Sequence, residues 1–153
     1  AFCFESAGLR LSLCPARSGA DIQQCGAELA VHEARANLPD GSTRIVALIN
    51  HPEALLRAAS FCAASPRLIA LTWDEAELAK ALKADADSDT LHQARSLIVM
   101  TARAAGVLAL DSASQTLSEN DLRRACDEAR RNGFDGKLAV NLAQQALIEE
   151  AFA

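Results

Sequence analysis

Residues 44–83, RIVALINHPEALLRAASFCAASPRLIALTWDEAELAKALK, carry the pattern that decides the fold. Arg44 to Ile49 is a compact apolar run that follows the turn chemistry of Pro39, Asp40 and Gly41, and it reads as a strand. Pro52 suits the first turn of a helix expected to reach Ala64. Arg67 to Thr72 repeats the strand, and Asp74 to Lys83 repeats the helix. Two strands, each apolar throughout rather than alternating, imply a sheet covered on both faces. Strand followed by helix, twice in forty residues, implies parallel pairing with right-handed crossovers.

The same alternation extends in both directions. Upstream, Leu9 to Cys14 ends at Pro15, and a helix is expected from Ser18 to Ala36, with Ser18 and Asp21 at capping-box spacing. Downstream, a polar stretch from Ala84 to Thr90 leads into a helix from Leu91 to Ala105, closed by Gly106. Val107 to Leu110 is the fourth strand and ends in Asp111. Ser118 to Asn132 is a helix with Ser118 and Asp121 again at capping spacing, and Gly133 ends it. Lys137 to Val140 is the fifth strand, and Leu142 to Ala153 the last helix. The expectation is an α/β fold of five β/α units forming one parallel sheet in sequential order. The 33 alanines fit close packing of helices on that sheet.

Composition narrows the function. The chain has 153 residues, half of them hydrophobic and 23% charged, as in a folded domain rather than a disordered chain. A net charge of −5 offers no broad footprint for nucleic acid or an anionic membrane. One Trp and no Tyr leave no base-stacking surface. No apolar run approaches the ~18 residues of a membrane span, and Ala1 to Leu13 has neither a basic leader nor a cleavage site. Cys3, Cys14, Cys25, Cys62 and Cys126 are odd in number and contain no C-x-x-C pair, so free thiols and a cytoplasmic location are expected.

Parallel α/β proteins place their sites beyond the carboxyl ends of the strands. Here those ends carry Pro15 and Ala16, then Asn50 and His51, then Trp73, Asp74 and Glu77, then Asp111 and Ser112, then Asn141. Asp74, Glu77 and Asp111 are candidate oxygen ligands for a hard cation such as Mg2+. Asp74 and Glu77 also have N-cap and N3 spacing, and helix capping is the commoner use of residues so placed. Asp111 suits orienting a catalytic group or accepting loop hydrogen bonds. No G-x-G-x-x-G or Walker pattern is present.

Several of these stretches together carry a family resemblance. Ala94-Arg95-Ser96-Leu97, Ala105-Gly106-Val107, Leu110-Asp111 and Gly133-Phe134-Asp135-Gly136-Lys137 resemble motifs of the HpcH/HpaI aldolase and citrate lyase β-subunit family. The run from Ala47 to Leu78 and the stretch from Leu13 to Gln24 resemble the corresponding upstream parts. The resemblance implies a (β/α)8 barrel that makes or breaks carbon–carbon bonds in citryl-CoA, malyl-CoA or related thioesters with the help of Mg2+. It also implies departures: the family's metal-binding Glu falls on Asn50, its metal-binding Asp on Glu77, its Lys on Ala16 and its His on Asn141.

The implied site is therefore Glu77 and Asn50 at a cation, with Asp111 and Asn141 in the catalytic positions and Mg2+ binding weak or lost. With five units where a barrel needs eight, the resemblance implies an incomplete TIM-barrel-like arc, a truncated and degenerate member with exposed edges that associates as a homo-oligomer. Its partner is an acyl-CoA thioester or small oxo acid. The alternatives are a non-catalytic fragment or interaction module, and an open flavodoxin-like domain, which five strands also permit.

Overall fold

The computed structural model describes residues 2–6, 9–113 and 118–153, with side chains from Leu9 onward. Six strands stand in the order β1-β2-β3-β4-β5-β6. Strands β2 (Leu9–Pro15), β3 (Thr43–Ile49), β4 (Leu68–Trp73), β5 (Leu108–Asp111) and β6 (Gly136–Lys137) are all parallel. Helices alternate with them: α1 (Gly19–Arg35), α2 (Pro52–Leu56), α3 (Glu75–Leu82), α4 (Asp89–Ala105), α5 (Glu119–Arg131) and α6 (Leu142–Phe152). The sequential parallel order is the expected one. It excludes the flavodoxin-like alternative, in which the strand order reverses.

Three features differ from the sequence expectation. Strand β1 (Phe2–Ser6) pairs antiparallel with β2, so one outer edge is a hairpin rather than a parallel strand. The helix expected to reach Ala64 stops at Leu56 and continues as a 3-10 turn over Ala58–Phe61. Ser60 gives the reason: its hydroxyl donates to the Arg57 carbonyl at 2.6 Å and accepts from the Gly19 amide at 2.8 Å, which competes with regular helix. That approach needs glycine, because a Cβ on Gly19 would lie 1.9 Å from the Ser60 carbonyl oxygen. Finally, β6 is two residues long and ends before Val140. The Val140 amide donates to the Gln144 side chain, and Asn141 already caps α6.

The two faces of the sheet differ. Ile45, Ala47, Ile49, Leu71, Trp73 and Ala109 point to the helices and form one core with Ile22, Leu29, Leu78, Leu91 and Ile98. Residues of the opposite parity, among them Leu11, Val46 and Leu110, line a common hollow although β2 and β5 are three strands apart. The sheet is therefore curved, with its concave side formed by alternate residues.

At the amino ends of the strands, a buried ion pair closes the α1–β3 connection. Glu33 is 2% exposed and receives both guanidinium nitrogens of Arg67, at 2.9 and 2.8 Å. The amides of Gly41 and Thr43 and the Ser42 hydroxyl also donate to it. Asp40 binds the outer edge of the same guanidinium. Arg67 bonding lowers the Glu33 pKa, burial opposes this, and the Thr43 and Gly41 donors lower it further, so the carboxyl ends well below its usual range.

Arg67→Ala strands this carboxylate and should cost about 3–5 kcal/mol in urea unfolding at pH 7. Because the folded pKa of Glu33 is depressed, its contribution is complete above the unfolded value of about 4.3 and is lost as pH falls through the folded value. The stability gap between wild type and Glu33→Gln should accordingly narrow below about pH 4.3. A gap that stays constant between pH 7 and pH 3 would contradict this assignment.

Candidate functional site

The carboxyl ends of β4, β5 and β6 converge on Asp111, which is 3% exposed. It has the parity of Ala109 and so faces the helices rather than the concave side. Its Oδ1 accepts from Trp73 Nε1 at 2.9 Å and from Arg95 Nε at 3.3 Å. Its Oδ2 accepts from Arg95 Nη2 at 3.0 Å and from Lys137 Nζ at 3.3 Å. Burial alone raises the Asp111 pKa, but the Lys137 charge and the bonds from Arg95 and Trp73 outweigh it, so the group lies below its usual value and is ionised at neutral pH.

A carboxylate offers about four lone-pair sites, and here four donors fill them. Asp111 therefore acts as a positioning group. It holds Lys137, whose Nζ also donates to the Ser112 carbonyl at 2.7 Å. The Ser112 hydroxyl in turn donates to Glu75 Oε2 at 3.2 Å. On its other side Arg95 reaches Glu128 at 2.6 Å and lies 5.2 Å over the Phe134 ring.

The remaining residues singled out by sequence are placed elsewhere. Glu77 is exposed on α3, where its carboxylate is 3.7 Å from Lys80 Nζ. Its amide donates to Asp74 Oδ1 at 3.0 Å, so the Asp74 and Glu77 spacing serves as a helix cap. Asn50 is half-buried just beyond β3. Asn141 is the N-cap of α6 and accepts from the Gln144 amide at 2.9 Å. His51 caps α2 through Nδ1, and Ala16 is buried at 1% exposure. Among the described residues, no three His, Cys, Asp or Glu side chains converge as a cation site. Magnesium sites use one or two carboxylates with substrate oxygens and waters; of the two residues that the resemblance places at the cation, Glu77 lies beside Lys80 and Asn50 is uncharged.

Sequence reasoning gave no role to Arg95, Lys137, Trp73 or Glu75. All four sit inside the motif stretches quoted above, which was the signal available, but nothing in the spacing says that they meet. Glu75 was passed over in favour of Glu77. Yet Glu75, with Asp74, lines a hollow of about 450 Å3 at the mouth of the arc, beside Trp73, Ser112 and Leu48.

A curved run of parallel β/α units with its polar groups gathered at the carboxyl ends of the strands defines a barrel-type α/β protein. The family model for HpcH/HpaI aldolase/citrate lyase matches residues 13–142, and the chain belongs to that family. It is 31% identical over 116 residues to the citrate lyase subunit beta of Haemophilus influenzae, covering 74% of this chain and 40% of that one. It is 33% identical over 102 residues to a (3S)-malyl-CoA thioesterase of Cereibacter sphaeroides, covering 65% and 35%. The chain thus spans about two fifths of the length of the curated relatives it matches.

Among solved structures, RipC from Yersinia pestis superposes with a TM-score of 0.77 at 24% identity, covering 94% of this chain and 63% of that one. The Mycobacterium tuberculosis citrate lyase beta subunit complexed with oxaloacetate and magnesium gives 0.72 at 24% identity, covering 93% and 60%. These likenesses establish the fold.

Asp111→Asn should leave Arg95 and Lys137 buried against a neutral group and cost about 3–5 kcal/mol by denaturant unfolding. Glu77→Gln should leave the unfolding midpoint almost unchanged. Equal effects of the two substitutions would contradict the assignment of Asp111 as the hub.

Proposed function

We propose that residues 1–153 form a single partial-barrel domain of the citrate lyase β-subunit type, which accepts an acyl-CoA thioester or small oxo acid at the mouth of the arc. Its carbon–carbon lyase activity is impaired and its Mg2+ binding is weak or lost. The observation that carries this reading is the placement of the two cation candidates: Glu77 is exposed and paired with Lys80, and Asn50 brings no charge. Cleavage of a thioester of this class needs charge stabilisation on the departing enolate and oxo acid, which a divalent cation supplies as a Lewis acid when bound. Asn141 is occupied as a helix cap and cannot exchange a proton near neutral pH. Loss of one acid or base commonly costs ~10²–10⁴ in rate.

A second reading, a non-catalytic interaction module, is favoured by surface apolar groups. Leu56 is 89% exposed, Leu142 83% and Met100 58%. Together with the β1 and β6 edges, these support self-association. No helix among the described residues is long and apolar enough to cross a membrane. A cytoplasmic location accords with the thiols: Cys14, Cys25 and Cys126 are buried and free. Burial and the neighbouring Cys25 push the Cys14 thiol up to about 12, which leaves it unreactive.

Calorimetric titration with Mg2+, alongside cleavage assays on citryl-CoA and malyl-CoA, tests the reading. The wild type should bind the cation weakly and turn over slowly or not at all. The double variant Asn50→Glu with Glu77→Asp should bind Mg2+ more tightly. Robust wild-type turnover that Glu77→Ala abolishes would overturn the impaired-lyase reading.

A further inference from the structure

Between Thr90 and Ala102, α4 carries a single Asp, Glu, Lys or Arg, and that residue, Arg95, is turned inward to Asp111 and Glu128. The outward side of the same stretch is in water: His92, Gln93, Ser96, Leu97 and Met100 are exposed. With Asp89 they line a shallow hollow of about 410 Å3. Neighbouring α5 shows the usual solution for a solvated helix, since eight of its thirteen residues are charged. Helix α4 packs against α3 on one side and is tied to α5 through Arg95 and Glu128 on the other. Its uncharged face is therefore the outward face of an uninterrupted stretch of the helix layer.

Asp89, Gln93, Ser96, Met100 and Arg103 follow one another at intervals of four, three, four and three residues, the seam spacing of two helices packed side by side. This seam is complementary to its own reverse. With Ser96 on a two-fold axis, Met100 of one copy packs on Gln93 of the other, and Asp89 meets Arg103. A parallel copy would set Asp89 against Asp89 and Arg103 against Arg103. Ser96 suits the axis because it is small and its hydroxyl donates to the His92 carbonyl at 3.0 Å, so closing it off from water strands no donor. Leu97 flanks the axis and adds apolar surface. Arg103 is already held by Asp135, so the contact with Asp89 fixes direction more than affinity.

We propose that this face of α4 is the contact between two copies of the chain, packed antiparallel about a two-fold axis through Ser96. It gives the self-association described above one defined surface, and it stands on the α4 seam independently of the lyase reading. The stripe from Asp89 to Arg103 is about 21 Å long. One helix pair of that length buries less than the ~1,200 Å2 of a stable complex, so the dimer is weak, with a dissociation constant on the order of tens of micromolar.

Sedimentation velocity of the full chain between roughly 5 and 300 µM tests this. The wild type should pass from monomer to dimer. Met100→Glu, at an exposed position, sets two carboxylates into the seam and should weaken the dimer roughly tenfold or more, with an unchanged melting curve at low micromolar concentration. Leu142→Glu, at a more exposed leucine on α6, should leave the dimer intact. Where Met100→Glu fails to fold, Gln93→Glu makes the same test from the other side of the pair. In a chain carrying Cys3→Ser and Cys62→Ser, Ser96→Cys should be joined to its own copy by a short bismaleimide, and Leu142→Cys should not.

A chain that stays monomeric at the highest concentration overturns the proposal. Association that survives Met100→Glu, or that Leu142→Glu removes instead, places the contact elsewhere and also overturns it. A dimer in which Ser96→Cys is not joined overturns the axis through Ser96. Oligomers larger than a dimer that Met100→Glu dissolves would mean a head-to-tail contact and overturn the two-fold arrangement.

Discussion

A carboxylate buried at the end of β5 has to be matched by positive charge, and the carboxyl-terminal half of the chain is built around that requirement. Moving an ion of this size out of water costs several kcal/mol even after relaxation. Asp111 recovers this through a guanidinium from α4, an ammonium from β6 and an indole N–H from β4. Those partners fix the neighbours of β5. Lys137 reaches Asp111 because the two residues are directly opposite in the parallel ladder. Arg95 reaches it only if α4 crosses the sheet at one height, and its second arm ties α5 in through Glu128. The shortest strand of the sheet, β6, is thereby anchored by a side chain as well as by its two residues of pairing.

The amino ends of the strands use the same device for another purpose. Glu33 takes the fork of Arg67 together with the amides of the α1–β3 loop, so the loop is held without apolar residues of its own. Arg103 and Asp135 repeat the arrangement under β5, where Asp135 also accepts from the Ala109 amide. Acid–arginine forks thus tie loops to strands at the amino ends, while at the carboxyl ends Asp111 gathers cations that would otherwise face a ligand. The hollow at the mouth of the arc is lined by the acids Asp74 and Glu75.

The alternation of strand and helix was legible because buried parallel strands are apolar at every position and because caps such as Ser118 with Asp121 are local. Features that depend on distant partners were not. Strand β1 gave no pattern to read, since Phe2 to Ser6 contains Glu5 and gains its place only by pairing with β2. The break after Leu56 depends on Ser60 meeting Gly19, forty-one residues away. Asp111 was singled out from its position at a strand end, yet its partners lie 16, 26 and 38 residues distant, so its role as a saturated hub was not visible. Glu75 and Glu77 differ in which way α3 turns them: Glu75 accepts from the Ser112 hydroxyl, whereas the Glu77 amide donates to the Asp74 cap.

The departures from the family pattern share a direction. Asparagine is among the best N-cap residues, and Asn141 is used as one. Alanine at position 16 is buried at 1% exposure, where an amine would need a counter-charge. Asn50 beyond β3 is neutral at a half-buried site, where a carboxylate would meet a desolvation cost unless a cation or donor matched it. Each substitution satisfies the fold locally. Catalytic sites hold charges in positions that folding alone disfavours, and stability gained there is commonly accompanied by lost activity. The buried hub of Asp111, Arg95 and Lys137 is the part of the architecture that folding demands, and the neutral residues at positions 16, 50 and 141, which the resemblance sets opposite reactive groups, add no charge for it to balance.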